Sequence, residues 1–225
     1  MTTSSDRRRA RELAAEYAGK GDPTGWFEVL YQEAEAGKSI VPWADRGANS
    51  SLIEFWSLDP QPTDGKQALV IACGLGDDAE QLAAWGFETT AFDISETAIR
   101  TARKRFPKSE VSYRVADLFE PPAEWEAKFD FVFEANTVQA LPASIRAKAT
   151  EKIARFVKPG GKLLAVVRGR EVHEPEGELP WPLTRAELGE FVRAGLTEET
   201  FEEYFDTEEP PARRYRVLYA RKRET

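Results

Sequence analysis

Residues 68–95, "ALVIACGLGDDAEQLAAWGFETTAFDIS", carry the clearest indication of the fold class. A short apolar run meets a Gly-x-Gly turn, a helical segment follows, and a second apolar run ends on Asp93. Gly74 and Gly76 stand where the first predicted strand ends, and a residue without a Cβ lets the backbone approach a ligand there. Asp93 has about the spacing expected of an acid that binds a ribose. Several unrelated cofactors bind to such a layout, so the rest of the chain must identify the ligand.

The region around this stretch alternates between strands and helices. Strands are predicted near 67–72, 88–93, 111–115, 129–135 and 161–168, and helices at 77–85, 95–105 and 143–157. Alternation of this kind is typical of a parallel sheet with helices on both faces.

The carboxyl-terminal part departs from this alternation. "LTRAELGEFVRAGL" opens with Thr184 and Glu187, which have the spacing of a helix capping box. "TEETFEEYF" and "RRYRVLYARK" follow, and the linker "DTEEPPA" is too short for a helical crossover, so they are expected to pair as an antiparallel hairpin. We therefore predict an α/β fold with a Rossmann-like seven-stranded, mostly parallel sheet, a C-terminal antiparallel hairpin and an N-terminal helical cap.

The cap is predicted from the amino-terminal third of the chain. Helical patterns cover residues 6–20, 24–37 and 50–58. The turn-rich "DPQPTDGK" then separates them from the first strand. We expect residues 1–62 to form a helical cap and cofactor lid and residues 63–225 to form the main domain, together in one globular unit.

Composition restricts the class of protein. The formal net charge of −8 and the pI near 5.0 argue against DNA or structured RNA as a partner. Cys73 is the single cysteine, which rules out a disulfide framework and a multi-cysteine metal site, so no metal is expected. Residues 1–20 contain no apolar core of the kind a secretory signal carries, and no run approaches about 18 consecutive apolar residues, so neither a secretory signal nor a membrane span is expected. We expect a cytoplasmic monomer or weak dimer without membrane partners, and we interpret Arg7-Arg8-Arg9 as a solvated helix face.

Acidic residues after successive strands discriminate between the candidate cofactors. Asp117 follows the third predicted strand, and Glu134 and Asn136 end the fourth. Acids after strands two, three and four resemble a methyltransferase cleft, whereas a short-chain dehydrogenase needs a Tyr-x-x-x-Lys pair. None of the six tyrosines has a lysine four residues on. S-adenosylmethionine is therefore favoured over NAD.

The sequence also resembles a narrower family. "GWFEVLYQEAEAGKSIVPWADRGANSSLIEFW", followed by the Cys-Gly-x-Gly turn and the Asp-Ile-Ser strand end, is similar to the thiol, halide and thiopurine methyltransferases and their tellurite-resistance relatives. The resemblance implies a class I S-adenosylmethionine-dependent methyltransferase. The chain departs from common class I patterns at Val70, where many members have an acid, and at Ala72, which replaces a common glycine. Asp45 lies one residue further from the Pro-Trp pair than in the relatives.

The resemblance implies a role for each matching position. Trp43 would pack over the methionine end of the cofactor, Asp93 would bind the ribose hydroxyls, and Asp117 would bind the adenine edge. The full set of implied cofactor-binding residues is Trp43, Cys73, Gly74, Gly76, Asp93, Ile94, Asp117, Leu118, Glu134 and Ala135. We interpret Cys73 as a small residue that fills the turn, since methyl transfer from a sulfonium needs no covalent enzyme intermediate.

The acceptor pocket is expected between the N-terminal helices and the insertion "RGREVHEPEGELPWPL". Candidate lining residues are Tyr31, Asn136, Arg168 and Trp181, and candidate catalytic residues are Asn136 and His173, the single histidine. An aromatic pocket flanked by an arginine is expected to accept thiols or small soft anions. The alternative, that Trp26, Trp43 and Trp181 only pack the cap against the sheet, stays open.

Three functions follow from these observations. The first is methyl transfer to a soft nucleophile of thiol, halide, thiopurine or chalcogen type, with O or N of a small metabolite as the alternative acceptor. The second is methylation of nucleic acid or protein, which the acidic composition and the "EANT" sequence after strand four disfavour. The third is a non-catalytic protein that binds S-adenosylmethionine.

Overall fold

The computed structural model describes residues 4–44 and 47–223, with side chains from Arg7 onward. Its centre is one seven-stranded sheet in the order β3-β2-β1-β4-β5-β7-β6. The strands are Gln67–Val70 (β1), Glu88–Asp93 (β2), Ser112–Val115 (β3), Phe129–Ala135 (β4), Val157–Arg168 (β5), Thr197–Phe205 (β6) and Arg213–Ala220 (β7). β7 is antiparallel to β5 and β6, and the other pairs are parallel. The predicted fold class is confirmed.

Helices cover both faces of this sheet and its carboxyl-terminal edge. They are Ser4–Gly19 (α1), Trp26–Glu35 (α2), Ser50–Leu58 (α3), Asp77–Ala84 (α4), Glu96–Arg105 (α5), Ala143–Phe156 (α6), Arg185–Leu188 (α7) and Glu190–Arg193 (α8). The helix expected near 183–196 is broken at Gly189 into α7 and α8, and its predicted capping box of Thr184 and Glu187 is confirmed. Within the described ranges, none of the helices combines the length and apolarity that a membrane crossing requires.

β5 begins earlier than predicted. Its ladder with β4 starts at Phe129–Val157 and then shifts to Phe131–Lys162, so the residues between Val157 and Lys162 form an irregular segment. Gly160 adopts a left-handed φ of 80° there. The sequence "KPGG" conceals this start because proline and glycine usually end a strand pattern.

The central strands are buried on both faces, which explains their nearly continuous apolar sequence. On one face Phe92 and Val132 pack with Ile153 of α6. On the other, Phe133 packs with Leu82 of α4. These two layers hold the carboxyl ends of β1, β2 and β4 at one edge of the sheet.

The N-terminal helices lie at this edge and are tied to it. Trp26 and Leu30 are fully buried in a small separate core. Glu28 of α2 accepts hydrogen bonds from Ser95 Oγ and from the backbone N–H and hydroxyl of Thr97, at the start of α5. Burial favours protonation of Glu28, but these hydrogen bonds outweigh it and lower its pKa. The boundary between cap and main domain at residue 62 stays a prediction.

Candidate functional site

A cavity of about 330 Å³ lies between the cap and the carboxyl ends of the strands. This size is within the usual range of ligand sites. Sequence analysis predicted many of its lining residues, namely Tyr31, Trp43, Cys73, Gly74, Asp93, Ile94, Asp117, Leu118, Ala135, Asn136 and Arg168. Residues from the 68–95 stretch and residues from the cap therefore meet at one site.

The turn after β1 forms the floor of this cavity in a strained conformation. Ala72 has a φ of 46° and Gly74 a φ of 52°. The left-handed region is costly for a residue with a Cβ, which explains the preference for glycine where this chain has Ala72. A Cβ on Gly74 would lie 2.9 Å from the hydroxyl of Tyr31. Gly74 therefore lets Tyr31 of the cap approach the backbone of the turn.

Asp93 is held at the end of β2 by backbone groups. Its Oδ2 accepts from Gly74 N at 3.0 Å and its Oδ1 from Ser95 N at 2.9 Å. Only 4% of the residue is exposed, and this burial raises its pKa to about 6. An ionised carboxylate has about four acceptor sites, so it can also accept from two ligand hydroxyls.

Asp117, Ile94 and Leu118 form the neighbouring wall. Asp117 Oδ1 accepts from Phe119 N at 2.8 Å, which fixes the carboxylate at the end of β3. Leu118 is buried against the core, and Ile94 lines the cavity. An apolar slot beside an oriented acceptor suits a flat heterocycle with an amino group.

Two further aspartates, absent from the sequence-based assignments, line the same end. Asp77 pairs with Arg105 at 2.6 Å, and Asp78 accepts from Asn49 N at 2.6 Å. The pair of acids directly after the Gly-x-Gly turn was the available signal. We call Asp77, Asp78, Asp93 and Asp117 the aspartate end of the cavity.

The thiol of Cys73 is poorly suited to act as a nucleophile. Burial and the nearby Asp93 carboxylate raise its pKa well above the usual value. A reactive cysteine needs the opposite, an environment that favours the thiolate. The geometry supports the interpretation of Cys73 as a turn residue.

Glu134 lies beneath the cavity rather than in its lining. Its Oε1 accepts from Thr137 N at 2.7 Å and Val138 N at 3.0 Å, and its Oε2 has no partner among the described residues. Complete burial raises its pKa to about 7. Glu134 therefore supports the segment after β4, which carries Asn136 in a left-handed conformation with φ of 63°.

Trp43 belongs both to the cavity and to the packing of the cap. Its ring makes edge contacts with Trp26 and Phe27, and its Nε1 donates to Tyr31 Oη at 3.0 Å. It lines the cavity and is 37% exposed. The two interpretations of Trp43 are thus compatible.

A cluster of arginines forms the opposite end of the cavity. Arg7, Arg168 and Arg214 surround Glu208, and all four line the cavity. Arg214 Nη1 also donates to Asn136 Oδ1 at 3.3 Å. We call the three arginines the arginine wall. Arg7, interpreted from sequence as part of a solvated helix face, is in fact paired at this wall.

Other predicted site residues lie elsewhere. Gly76 lines no part of the cavity, and a Cβ there would collide with the hydroxyl of Tyr113. Trp181 packs under the guanidinium of Arg146, 5.5 Å from the ring centre. His173 is exposed in the loop after β5, outside the cavity. Asp45 lies outside the described residues. Their assigned roles remain predictions without geometric support.

The aspartate end fits S-adenosylmethionine. Asp93 would bind the ribose, Asp117 with Ile94 and Leu118 would hold the adenine, and the Gly74 turn would take the methionine part. The four carboxylates also suit a ligand with positive charge. When bound, this cofactor supplies a methyl group on a cationic sulfur, which a nucleophile can take directly.

The sheet order and the acids at its strand ends are those of class I S-adenosylmethionine-dependent methyltransferases. Residues 68–161 match the sequence model of the family described as "Methyltransferase domain". The chain is 26% identical over 156 residues to a thiopurine S-methyltransferase of Vibrio atlanticus (strain LGP32), over 62% of this chain and 70% of the relative. It is 26% identical over 180 residues to probable thiol methyltransferase 2 of Arabidopsis thaliana, over 79% and 75%. The resemblance seen in the sequence is confirmed.

A solved structure extends the likeness in fold. The structure described as "Conversion of a Disulfide Bond into a Thioacetal Group during Echinomycin Biosynthesis" superposes with a TM-score of 0.70 at 19% identity. The match covers 88% of this chain and 94% of that one. At this identity the likeness concerns the fold alone.

Proposed function

We propose that this methyltransferase acts on a small soft nucleophile of thiol, halide, thiopurine or chalcogen type. The two relatives named above, a thiopurine and a probable thiol methyltransferase, support this proposal. The net charge of −8 supports a small acceptor over a nucleic acid, and we expect the protein to work in the cytoplasm.

The observation that carries the proposal is the set of ionisable groups around the cavity. Its described lining contains no histidine or lysine, and His173 lies in an exposed loop. Asp93 and Asp117 already accept hydrogen bonds from the backbone. An alcohol or amine acceptor needs a base, whereas a thiol, with an ordinary pKa of about 8.5, ionises readily without one.

The chain's own residues would contribute by alignment and by exclusion of water. Trp43 and Phe27 of the cap, with Leu141 of the main domain, give the cavity an apolar surface. Asn136 lines the cavity beside Arg214, and its amide could orient an acceptor. Alignment of this kind is worth roughly 7–11 kcal/mol in favourable cases.

A substrate panel tests the proposal. The full chain is incubated with methyl-labelled S-adenosylmethionine and with thiols, iodide, a thiopurine, chalcogen oxyanions, phenols and amines. We expect label in the thiol or other soft acceptors and none in phenols or amines. Methylation of a phenol or amine alone would replace the soft-nucleophile assignment by O- or N-methylation. Cofactor binding without turnover of any acceptor would favour the non-catalytic alternative.

A further inference from the structure

The arginine wall and the two carboxylates that pair with it, Glu208 and Asp206, together carry a net positive charge. Arg168 Nη2 and Arg214 Nη2 donate to Glu208 Oε1 at 2.6 and 2.9 Å, and Arg7 Nη2 donates to Glu208 Oε2 at 2.9 Å. Arg214 Nε donates to Asp206 Oδ2 at 2.7 Å. These five side chains combine three positive charges with two negative charges. One guanidinium charge is left without a matching carboxylate.

The environment of Arg168 shows the same imbalance. Its side chain is largely buried. Burial of the guanidinium lowers the pKa of Arg168, and repulsion from Arg214 and Arg7 lowers it further. The hydrogen bonds to Glu208 raise the pKa but do not offset these two effects. A further anion at this position would relieve both the desolvation and the repulsion.

A second, independent observation comes from the segment after β4. Gln139 lines the cavity and is completely buried. Its Oε1 accepts from Arg168 N, which fixes the orientation of the amide. Its Nε2 and the hydroxyl of Thr137, which also lines the cavity, have no hydrogen-bond partner within the described part of the chain. Buried donors are normally satisfied, so these two groups indicate a missing acceptor.

We propose that the methyl acceptor carries a carboxylate, and that this carboxylate binds to Arg168, Arg214 and the amide of Gln139. The inference rests on the proposed function, because it names the chemical class of that acceptor. Glu208 acts as an internal stand-in: its carboxylate already shows how the wall binds such a group. A carboxylate matches the planar fork of a guanidinium, which a halide ion cannot do. An acceptor of a few carbons would then direct its sulfur towards the aspartate end.

A matched pair of thiols tests this subsite. 3-Mercaptopropionate and 3-mercaptopropionamide differ in charge but share the thiol, and kcat/KM is measured for both with the full chain. We expect the carboxylate to be preferred at least about tenfold. The preference should disappear in R168Q and fall in R214K, which keeps the charge but loses the fork. R213Q is the control, because Arg213 pairs with Glu174 at 2.7 Å and does not line the cavity. Equal kcat/KM for the two thiols would overturn the proposal.

The stand-in role of Glu208 has its own test. E208Q removes the competing carboxylate charge, so the KM for 3-mercaptopropionate should fall while the KM for the amide stays constant. A purely structural Glu208 would instead raise both values. Circular dichroism of each variant establishes that it is folded.

Binding of propionate, which has no thiol, separates this inference from the proposed function. It is titrated by calorimetry into the full chain with S-adenosylhomocysteine. Binding to the native protein but not to R168Q supports the subsite even if no thiol is methylated, in which case only the proposed function fails. Methylation of thiols without any charge preference, and no propionate binding, would leave the proposed function and remove the subsite.

Discussion

The two ends of the cavity are built in different ways. At the aspartate end, acids follow β1, β2 and β3, and the residues come from positions 71–119 of the chain. At the arginine wall, Arg7, Arg168, Glu208 and Arg214 come from α1, β5, the β6–β7 turn and β7. One end is thus local in sequence, and the other is assembled from segments up to about 200 residues apart.

The difference separates the part of the site that the backbone of the sheet positions from the part that long side chains form. Backbone N–H groups orient the carboxylate of Asp93, so its position depends on the sheet itself. Long side chains on separate elements form the arginine wall, so a few substitutions can change its charge and shape.

Loss of the Asp93 carboxylate should have the largest effect. D93A removes the acceptor for two ribose hydroxyls, and charge-assisted hydrogen bonds are worth roughly 1.5–3 kcal/mol each, so affinity should fall about 100-fold or more. Calorimetry with S-adenosylhomocysteine measures this change. The exposed Asp64 gives the control D64N, for which no change is expected. Native affinity in D93A would place the ribose elsewhere.

The same carboxylate predicts a pH dependence. The pKa of Asp93 is about 6, so below this value the protonated group loses acceptor capacity and affinity for S-adenosylhomocysteine should fall about tenfold per pH unit. The pKa of Asp93 is higher in the folded protein, at about 6, than the ordinary value of 3.8, so the folded state binds the proton first as pH falls. The contribution of Asp93 to the free energy of unfolding therefore rises between pH 6 and pH 3.8, and Asp93 does not cause acid unfolding in this range. Affinity measured between pH 5 and pH 8 should show the inflection in the native protein and lack it in D93A.

Glu134 should affect both ends of the cavity, because it supports the segment between them. E134A leaves two backbone N–H groups without an acceptor, which costs roughly 1–3 kcal/mol of unfolding free energy for each group. E134Q keeps an acceptor oxygen and removes a carboxyl group whose pKa is raised to about 7 in the folded protein. Because the unfolded chain ionises this group at lower pH, the native protein should lose stability relative to E134Q as pH rises from 4.5 to about 7. Thermal unfolding at pH 5 and pH 8.5 tests this. A constant difference between the two proteins would contradict it.

Changes at the arginine wall should hardly alter cofactor binding. R168Q acts at the end opposite Asp93, so its affinity for S-adenosylhomocysteine should stay within about twofold of the native value. The matched control R170Q changes an arginine that pairs with Glu187 outside the cavity. A large loss of affinity in R168Q alone would show that the two ends form one site rather than two.

The sequence predicted the sheet and two of the four acids of the aspartate end, Asp93 and Asp117, for a physical reason. Strand ends in a parallel sheet meet at one edge, so an acid after a buried apolar run is placed by the pattern itself. Asp77 and Asp78 could have been found in the same way. The roles of Gly76 and Trp181 could not, because their nearest partners, Tyr113 and Arg146, are distant in sequence.

The arginine wall shows the limit of sequence patterns. Arg7 stands in a charged helix beside acids, which is the usual pattern of an exposed face. Its partner Glu208 lies in a turn 201 residues away, and nothing local distinguishes this pair from solvated charges. Arg168 was found because it ends a strand, and Arg214 was missed because β7 runs in the opposite direction from its neighbours.

The antiparallel β7 has a consequence for how acceptor preference can change during evolution. Its reversed direction brings its first residues, with the turn that precedes them, to the edge where the other strands end, while Val217 and Tyr219 stay locked in the sheet core. The turn 206–212 can therefore vary in length or charge without shifting the register of the strands. Exchange of this short segment would replace Glu208, which pairs with the three arginines of the wall, and would leave the residues of the aspartate end untouched.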